Sequence, residues 1–264
     1  MSVTGLPTML ENLKSNSAAV ADVSPGWAQG RAVYGGLAAS IALGGMEQLL
    51  TEPKPLRSLM VNFVAPMAEG AARLDARILR EGRSVTQACV DVYSSEQVAV
   101  HASAAFGAPR SAKAVASEYA FKPEPRTSVP ALDLGQTQLP GFLQRFDIHW
   151  TGGGIPMSGT GERRLGMWVR HKDDMSAFPA AKIVALADIP PPVMMAHFTK
   201  PVMASSLSWS LEFVRPAEDV KSDWFYLDYT LEAAADGYSQ QSGCIFTEDG
   251  QLVALSRQCM VYFE

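Results

Sequence analysis

The feature that most constrains this chain is an internal repeat. The segment LMVNFVAP at 59–66 returns as WSLEFVRP at 209–216, an offset of 150 residues, and Cys89 returns as Cys244 at an offset of 155. Strand-like segments that recur in the same order at a slowly drifting offset indicate one duplicated unit with loops of different length. Polar residues that occur in only one copy are therefore candidates for function.

Composition narrows the class of protein. The chain has 264 residues, 47% of them hydrophobic, which is enough for one large core or two modest ones. A net charge of −5 argues against nucleic acid as a partner, because phosphate binding needs a basic face. The first residues lack the basic and apolar stretches of a signal peptide, and no apolar run approaches the roughly 18 residues of a membrane helix. Three cysteines without CxxC spacing argue against a disulfide framework, so we expect a reduced, cytoplasmic protein without a membrane partner.

The first copy is predicted to contain one helix followed by strands. The Ala- and Leu-rich stretch 37–50 predicts a mostly buried helix, which the prolines after it end. Alternating apolar residues then predict a series of strands near 59–63, 71–79, 85–93 and 98–106. A helix with a run of antiparallel strands predicts a sheet curled around that helix, which is an α+β unit.

The second copy repeats this order after two opening strands. Residues 142–150 and 165–171 predict strands joined by a Gly-rich loop, and 180–187 predict a short helix that a triple proline ends. Further strands are predicted near 205–214, 224–233, 239–247 and 252–263.

The chain is accordingly divided into three parts. Residues 1–108 are predicted to form an N-terminal unit and residues 141–264 a C-terminal unit that carries the candidate site. Between them, residues 109–140 combine several prolines with alanine, serine and lysine, a composition typical of a linker.

The residues also resemble a known family. The pair Gly35-Gly36 before the first helix, FVAP at 63–66, LREGRS at 79–84, DGQLVA at 249–254 and the order of elements are similar to acyl-CoA thioesterase II and its thioesterase-like relatives. The resemblance implies an α+β double hotdog fold, in which two antiparallel sheets, each wrapped around a helix, lie side by side. It further implies an enzyme that hydrolyses a fatty or aryl acyl-CoA to the free acid and coenzyme A, and it leaves a homodimer open.

Polar residues of the second copy stand where the first copy is apolar. The correspondences are Asp188 with Ala38, Ser206 with Leu56 and Gln258 with Ala104. Each residue also has an interpretation without catalysis: Asp188 as a solvated residue before the proline turn, and Gln258 as part of a structural hydrogen-bond network. Strict alternation puts Ser206 on one strand face with Ser208, Ser210 and Glu212, which is also the pattern of a plain solvent face. A carboxylate at the end of a helix faces the negative end of the dipole, at a cost of about 0.3–1 kcal/mol.

The family resemblance assigns roles to these three residues. In thioesterase II an aspartate, a hydroxyl residue and a glutamine orient the attacking water, and Asp188, Ser206 and Gln258 fall at those places. Asp188 would be the general base, while Ser206 and Gln258 would hold the water. The chain departs from the family at Ser206, where threonine is usual, and at Ser208 and Trp209, where aspartate and histidine are often found. These departures bear on rate and substrate range rather than on the reaction class.

Other catalytic arrangements have weaker support. The sequence has no G-x-S-x-G elbow, and its four histidines lack metal-ligand spacing, so we expect neither a metal nor a cofactor. Gly35 and Gly36 are explained equally well as a helix start that binds a carbonyl oxygen and as a point of tight packing. The alternative from another class is a non-catalytic acyl-CoA-binding hotdog protein.

Overall fold

The elements follow the predicted order, with a helix added at the start. The computed structural model describes residues 3–135 and 139–263, so the ends of the predicted units at 1–2 and 264, and residues 136–138 of the linker, lie outside it. Its helices are α1 (Leu6–Ser15), α2 (Gly35–Glu47) and α3 (Pro179–Ala187). Its strands are β1 (Val20–Val23), β2 (Ala28–Gln29), β3 (Ala32–Val33), β4 (Leu56–Phe63), β5 (Gly70–Glu81), β6 (Val85–Ser94), β7 (Gln97–Gly107), β8 (Phe146–Gly153), β9 (Arg164–His171), β10 (Met203–Phe213), β11 (Phe225–Ala235), β12 (Tyr238–Thr247) and β13 (Leu252–Phe263).

One antiparallel sheet runs through both copies. Within the described residues it has eleven strands, in the order β1-β5-β6-β7-β4-β10-β13-β12-β11-β9-β8. The sequence predicted two sheets side by side. Instead, β4 pairs with β10 in the middle of one sheet, with Asn62 opposite Ser208 and Ser58 opposite Glu212. This pairing supplies backbone hydrogen-bond partners to strands that would otherwise be the exposed edges of two sheets.

The duplication is visible in the irregularities of the sheet. Three β-bulges of the first half recur at equivalent points of the second: Arg57 and Leu207, Leu79 and Glu232, and Ala99 and Val253. Their offsets are 150, 153 and 154 residues. The offset of 155 that the cysteine match predicted is therefore wrong for β6 and β12, where the pairing gives 153 and places Ala88 and Gln241 at equivalent positions.

Helix α2 of the first half and helix α3 of the second half pack against each other on the inner face of the sheet. Nearly every residue of α2 is buried, because its small side chains, GGLAASIALGGME, let the sheet and α3 approach closely. It begins at Gly35 and ends at Glu47, somewhat earlier than the predicted 37–50. α3 matches its predicted span within one residue. No helix in the described ranges is long and apolar enough to cross a bilayer.

Three features differ from the sequence predictions in ways that matter for the site. Residues Gly141–Arg145 form a 3-10 turn after Pro140, so the strand predicted from 142 begins at Phe146. The amphipathic helix α1 and the short hairpin of β2 and β3 were not predicted. In the described part of the linker, Phe121 packs against an aromatic cluster of the second half, formed by Trp168, Tyr226 and Phe246. The division into two units and a linker stays a prediction.

Candidate active site

Asp188 lies where α3 meets the start of α2. It is the C-cap residue of α3, and its carboxylate lies against the first turn of α2, where the backbone N–H of Gly36 lowers its pKa. A Cβ atom on Gly35 would lie only 2.7 Å from Asp188 Oδ2. The unfavourable dipole at the end of α3 is therefore opposed by the favourable dipole at the start of α2, which attracts negative charge. The Gly36 N–H favours the ionised carboxylate, and Gly35 permits the close approach.

Two buried tyrosines hold the last turn of α3. The Tyr34 hydroxyl donates a hydrogen bond to the carbonyl of Ala185, and the Tyr229 hydroxyl donates one to the carbonyl of Ala187. These bonds satisfy carbonyls that the end of a helix leaves without partners. Burial raises the pKa of both tyrosines, and the neighbouring Asp188 raises it further, so both stay neutral. The position of Asp188 is thus set by contacts from both halves.

The carboxyl of Asp188 holds its proton unusually tightly. Burial raises its pKa from 3.8 to about 7, while the hydrogen bond from Gln258 and the nearby backbone N–H of Gly36 act in the opposite direction. The residue keeps some accessible surface, and it lines a cavity. A carboxylate with a pKa near neutrality is suited to accept and release protons at physiological pH.

Gln258 contacts Asp188 directly and is itself held by a second glutamine, Gln241. Gln258 Nε2 donates to Asp188 Oδ1 at 2.7 Å, and Gln258 Oε1 accepts from Nε2 of Gln241 at 2.8 Å. Gln241 Oε1 in turn accepts from the backbone N–H of Val193 at 3.0 Å. Both glutamines are buried. Sequence reasoning recognised that a buried Gln258 needs partners but missed Gln241; the signal was a second glutamine on the inward face of the neighbouring strand.

Ser206 reaches the site because of a β-bulge. Strict alternation put it on the outer face with Ser208, but Leu207 is an extra residue in β10, so Ser206 pairs with Met260 and Ser208 with Cys259. Paired residues of antiparallel strands project to the same face, so Ser206 lies on the inner face with Met260 and Gln258. The predicted face was wrong, and the correct one brings Ser206 into the same cavity as Asp188.

The predicted counterpart of Asp188 also needs correction. Ala38 lies in the first turn of α2, whereas Asp188 follows the last turn of α3. The residue at the matching place in the first half is Gln48, the C-cap of α2. Counting back from the shared phenylalanine failed because the connections from helix to strand differ in length. The other two correspondences, with Leu56 and Ala104, agree with the strand pairing.

The three candidates line one cavity of about 410 Å³ between the halves. Its first-half wall comes from the start of α2, from the end of β4 and the residues after it, and from the β2–β3 hairpin. The second-half wall comes from the triple proline and from β10 and β13. Apolar side chains predominate, among them Phe63, Val100, Met195, Met260 and Val261. Arg31, at the tip of the hairpin, is the basic residue among those that line the cavity in the described chain, and it is exposed.

Solved structures are similar to this chain over nearly its full length. A conserved protein of unknown function with a hot dog fold from Alicyclobacillus acidocaldarius is 18% identical, with a TM-score of 0.83 over 93% of this chain and 92% of its own. The tesB protein of Mycobacterium avium subsp. paratuberculosis is 18% identical, with a TM-score of 0.79 over 98% and 100%. Acyl-CoA thioesterase II TesB2 of Mycobacterium marinum is 18% identical, with a TM-score of 0.70 over 87% and 89%. At such identities these similarities establish the hotdog fold.

Sequence comparison gives the family. The acyl-CoA thioesterase N-terminal domain family matches residues 23–107, and the acyl-CoA thioesterase C-terminal domain family matches residues 122–262. No curated protein matches the sequence. The two domain matches follow one another as the two halves of the sheet do and together span most of the chain, which therefore belongs to the acyl-CoA thioesterase family and is a thioester hydrolase.

Proposed function

We propose that this enzyme hydrolyses an acyl-CoA with an apolar acyl group to the free acid and coenzyme A, through a water that Asp188 activates. The observation that carries the proposal is the partly buried hydrogen bond from the Gln258 amide to the Asp188 carboxylate, at 2.7 Å, in a cavity that Ser206 also lines. Such a cavity places a carboxylate, a hydroxyl and an amide among mostly apolar side chains, as small-molecule sites usually do.

The chemistry needs a base and an oriented water. Asp188 takes a proton as the water oxygen attacks the thioester carbon; the carbon–sulfur bond then breaks, and the sulfur leaves as a thiolate that is protonated to the thiol. The hydroxyl of Ser206 and the second N–H of the Gln258 amide would hold the water in line with the carbonyl. Serine keeps the hydroxyl that threonine supplies in the family, so the reaction class is unchanged.

The lining suggests how the substrate enters. The apolar walls suit the acyl chain, because burying each methylene contributes about 0.8 kcal/mol. Arg31 is placed at the edge, where it would meet the anionic phosphates of coenzyme A. Replacing Arg31 by Ala should then raise KM several-fold and leave kcat unchanged, whereas an equal loss in kcat would place Arg31 in the chemistry instead.

The test is release of thiol from a panel of acyl-CoAs of different chain length, followed with a thiol reagent. The rate should rise with pH through a pKa near 7, as Asp188 ionises, and then level off. Binding of acyl-CoA without thiol release from any member of the panel would contradict the proposal and favour a non-catalytic acyl-CoA-binding protein.

A further inference from the structure

We infer that Gln241 is a positioning residue for the reaction: it fixes the amide of Gln258 so that its NH₂ group, rather than its carbonyl oxygen, faces Asp188. The inference rests on the proposed function, because it concerns how the water-binding group of that site is oriented. Gln241 contacts neither the cavity nor Asp188 among the described contacts, and it acts through Gln258.

The orientation follows from one group that cannot reverse its role. The backbone N–H of Val193 can only donate a hydrogen bond, so the group of Gln241 that lies 3.0 Å from it must be the carbonyl oxygen. The NH₂ group of Gln241 then points to Gln258, 2.8 Å away, and requires an acceptor there. The Gln258 carbonyl oxygen fills that place, which leaves its NH₂ group for Asp188.

The reverse arrangement is costly at two contacts. If the Gln258 amide turned over, its carbonyl oxygen would face the Asp188 carboxylate and its NH₂ group would face the NH₂ group of Gln241. Two acceptors and two donors would then meet in a buried place, where unpaired polar groups are expensive. The Val193 N–H thus determines the orientation of the amide next to the catalytic carboxyl, across two side chains.

Burial and comparison of the halves support a specific role. Gln241 is 1% exposed, and its equivalent in the first half is Ala88, which is also buried. A glutamine at this place is therefore not needed to build the strand. The adjacent Gln240 pairs with Cys259 and projects to the opposite face, so it provides a matched control on the same strand.

The test is the pH profile of kcat/KM for Gln241→Glu, with Gln240→Glu beside it. A protonated carboxyl at 241 can accept from the Val193 N–H and donate to Gln258, as glutamine does. An ionised carboxyl can only accept, so Gln258 must turn its NH₂ group away from Asp188. We expect a maximum about tenfold or more below wild type and a falling limb at high pH. Wild type and Gln240→Glu should both lack that limb. A profile with the wild-type shape, whether of full or of reduced height, would overturn the inference, since a purely structural role changes the amount of active protein rather than its ionisation.

A double-mutant cycle keeps the inference testable if Gln241→Glu folds poorly. Gln241→Met retains the length of the side chain and removes both hydrogen bonds. It should lower kcat about tenfold with KM nearly unchanged, and it should have no further effect in a Gln258→Met background, because Gln241 acts through Gln258. Independent, multiplying effects in the folded fraction would overturn the inference.

The variant Asp188→Asn distinguishes a failure of the proposed function from a failure of the inference about Gln241. If Asp188→Asn leaves the rate unchanged, the proposed function fails, and the role of Gln241 fails with it. If Asp188→Asn removes activity while Gln241→Glu keeps the wild-type profile and Gln241→Met multiplies with Gln258→Met, the inference alone fails.

Discussion

The two halves of the sheet place different side chains at equivalent points. The first half has Leu56, Ala88 and Ala104 where the second half has Ser206, Gln241 and Gln258, and all three of the first-half residues are buried. The backbone of the two halves is similar at these points, since the bulge at Arg57 recurs at Leu207. The shared bulge turns an apolar side chain inward in one half and a hydroxyl in the other. The backbone geometry at these positions is therefore shared by both copies, whereas the polar side chains occur in only one of them.

The first half nevertheless contributes to the site in the second half. The N-terminus of α2 lies against the Asp188 carboxylate, Tyr34 holds the end of α3, and the end of β4 forms one wall of the cavity. The site therefore lies between the two copies: the second half supplies its polar side chains, and the first half supplies a helix start and an apolar wall.

Each half has a carboxyl of raised pKa at the C-terminal end of a helix: Glu47 is the last residue of α2, and Asp188 directly follows α3. Burial raises the pKa of Glu47 to about 7, Glu218 raises it further and Lys14 lowers it. The pKa of Asp188 is raised to the same value by burial. What distinguishes the two is the partner, because the equivalents of the glutamines around Asp188 are alanines in the first half. A raised pKa alone does not identify the catalytic group.

The largest expected effect tests that distinction. Asp188→Asn should lower kcat by roughly 10²–10⁴-fold with the fold intact, because the base is lost. Glu47→Gln, the matched change in the first half, should leave kcat near wild type. The measurement is thiol release per folded molecule for both variants. Equal losses, or a loss confined to Glu47→Gln, would break the comparison between the halves.

The next effect concerns the bulge. Ser206→Ala should lower kcat by about 10²-fold, because the water loses one of the groups that orient it. Combined with Asp188→Asn it should add little, since residues that act on one water behave as a unit. Ser208→Ala changes the same side chain two positions away, on the exposed face, and should have no effect. If Ser208→Ala were the damaging variant, the strand face assigned here would be wrong.

The case of Ser206 shows what the sequence can and cannot predict. Periodicity identified most strands within a few residues, and the copy comparison selected Ser206 and Gln258 on correct correspondences. For Asp188 the correspondence was wrong, and the family resemblance is what pointed to it. An inserted residue such as Leu207 is invisible to periodicity, because nothing in the composition of MASSLSWS marks which residue is extra. Long-range partners are hidden for a similar reason: Val193 and Gln241 lie 48 positions apart and meet only because the triple proline folds back onto the sheet. The candidate residues were therefore predictable. The strand face on which Ser206 lies, and the chain of amides that orients Gln258, were not.

A smaller effect tests the contribution of the first half. A Cβ on Gly35 would lie 2.7 Å from Asp188 Oδ2 and 3.2 Å from the ring of Phe63, so Gly35→Ala should displace the carboxylate and lower kcat about tenfold. Stability should not fall in step, because alanine favours a helix over glycine by about 1 kcal/mol. Gly44→Ala in the same helix meets only the tip of Leu10 and Leu13, and it should keep its activity. Parallel losses in the two variants would indicate damage to the helix rather than to the site.

The smallest effect is on stability, and it should make the two helix-end carboxyls look alike. In the folded protein Asp188 binds its proton up to about pH 7, whereas the ordinary pKa is 3.8. Between these values the native state binds more protons than the unfolded state, so this carboxyl contributes stability below about pH 4 that is lost as the pH rises through 7. Glu47 acts with the same sign, from 4.5 to about 7. His171 acts with the opposite sign, because burial lowers its pKa to about 4, and its contribution is lost as the pH falls from 6.5.

Because these contributions overlap, the wild-type curve alone cannot assign them, and differences between variants can. The Tm of wild type minus that of Asp188→Asn should fall by several degrees between pH 4 and pH 7 and then stay level, at about 2–4 °C per kcal/mol for a chain of this size class. Wild type minus Glu47→Gln should follow the same course, although only Asp188→Asn changes the rate. Matching stability profiles, with loss of catalysis in Asp188→Asn alone, would show that burial raises the pKa of both carboxyls and that the polar network makes one of them catalytic. A flat difference for Asp188→Asn would instead mean that this carboxyl ionises normally in the folded protein, and the rise in rate near pH 7 would need another group.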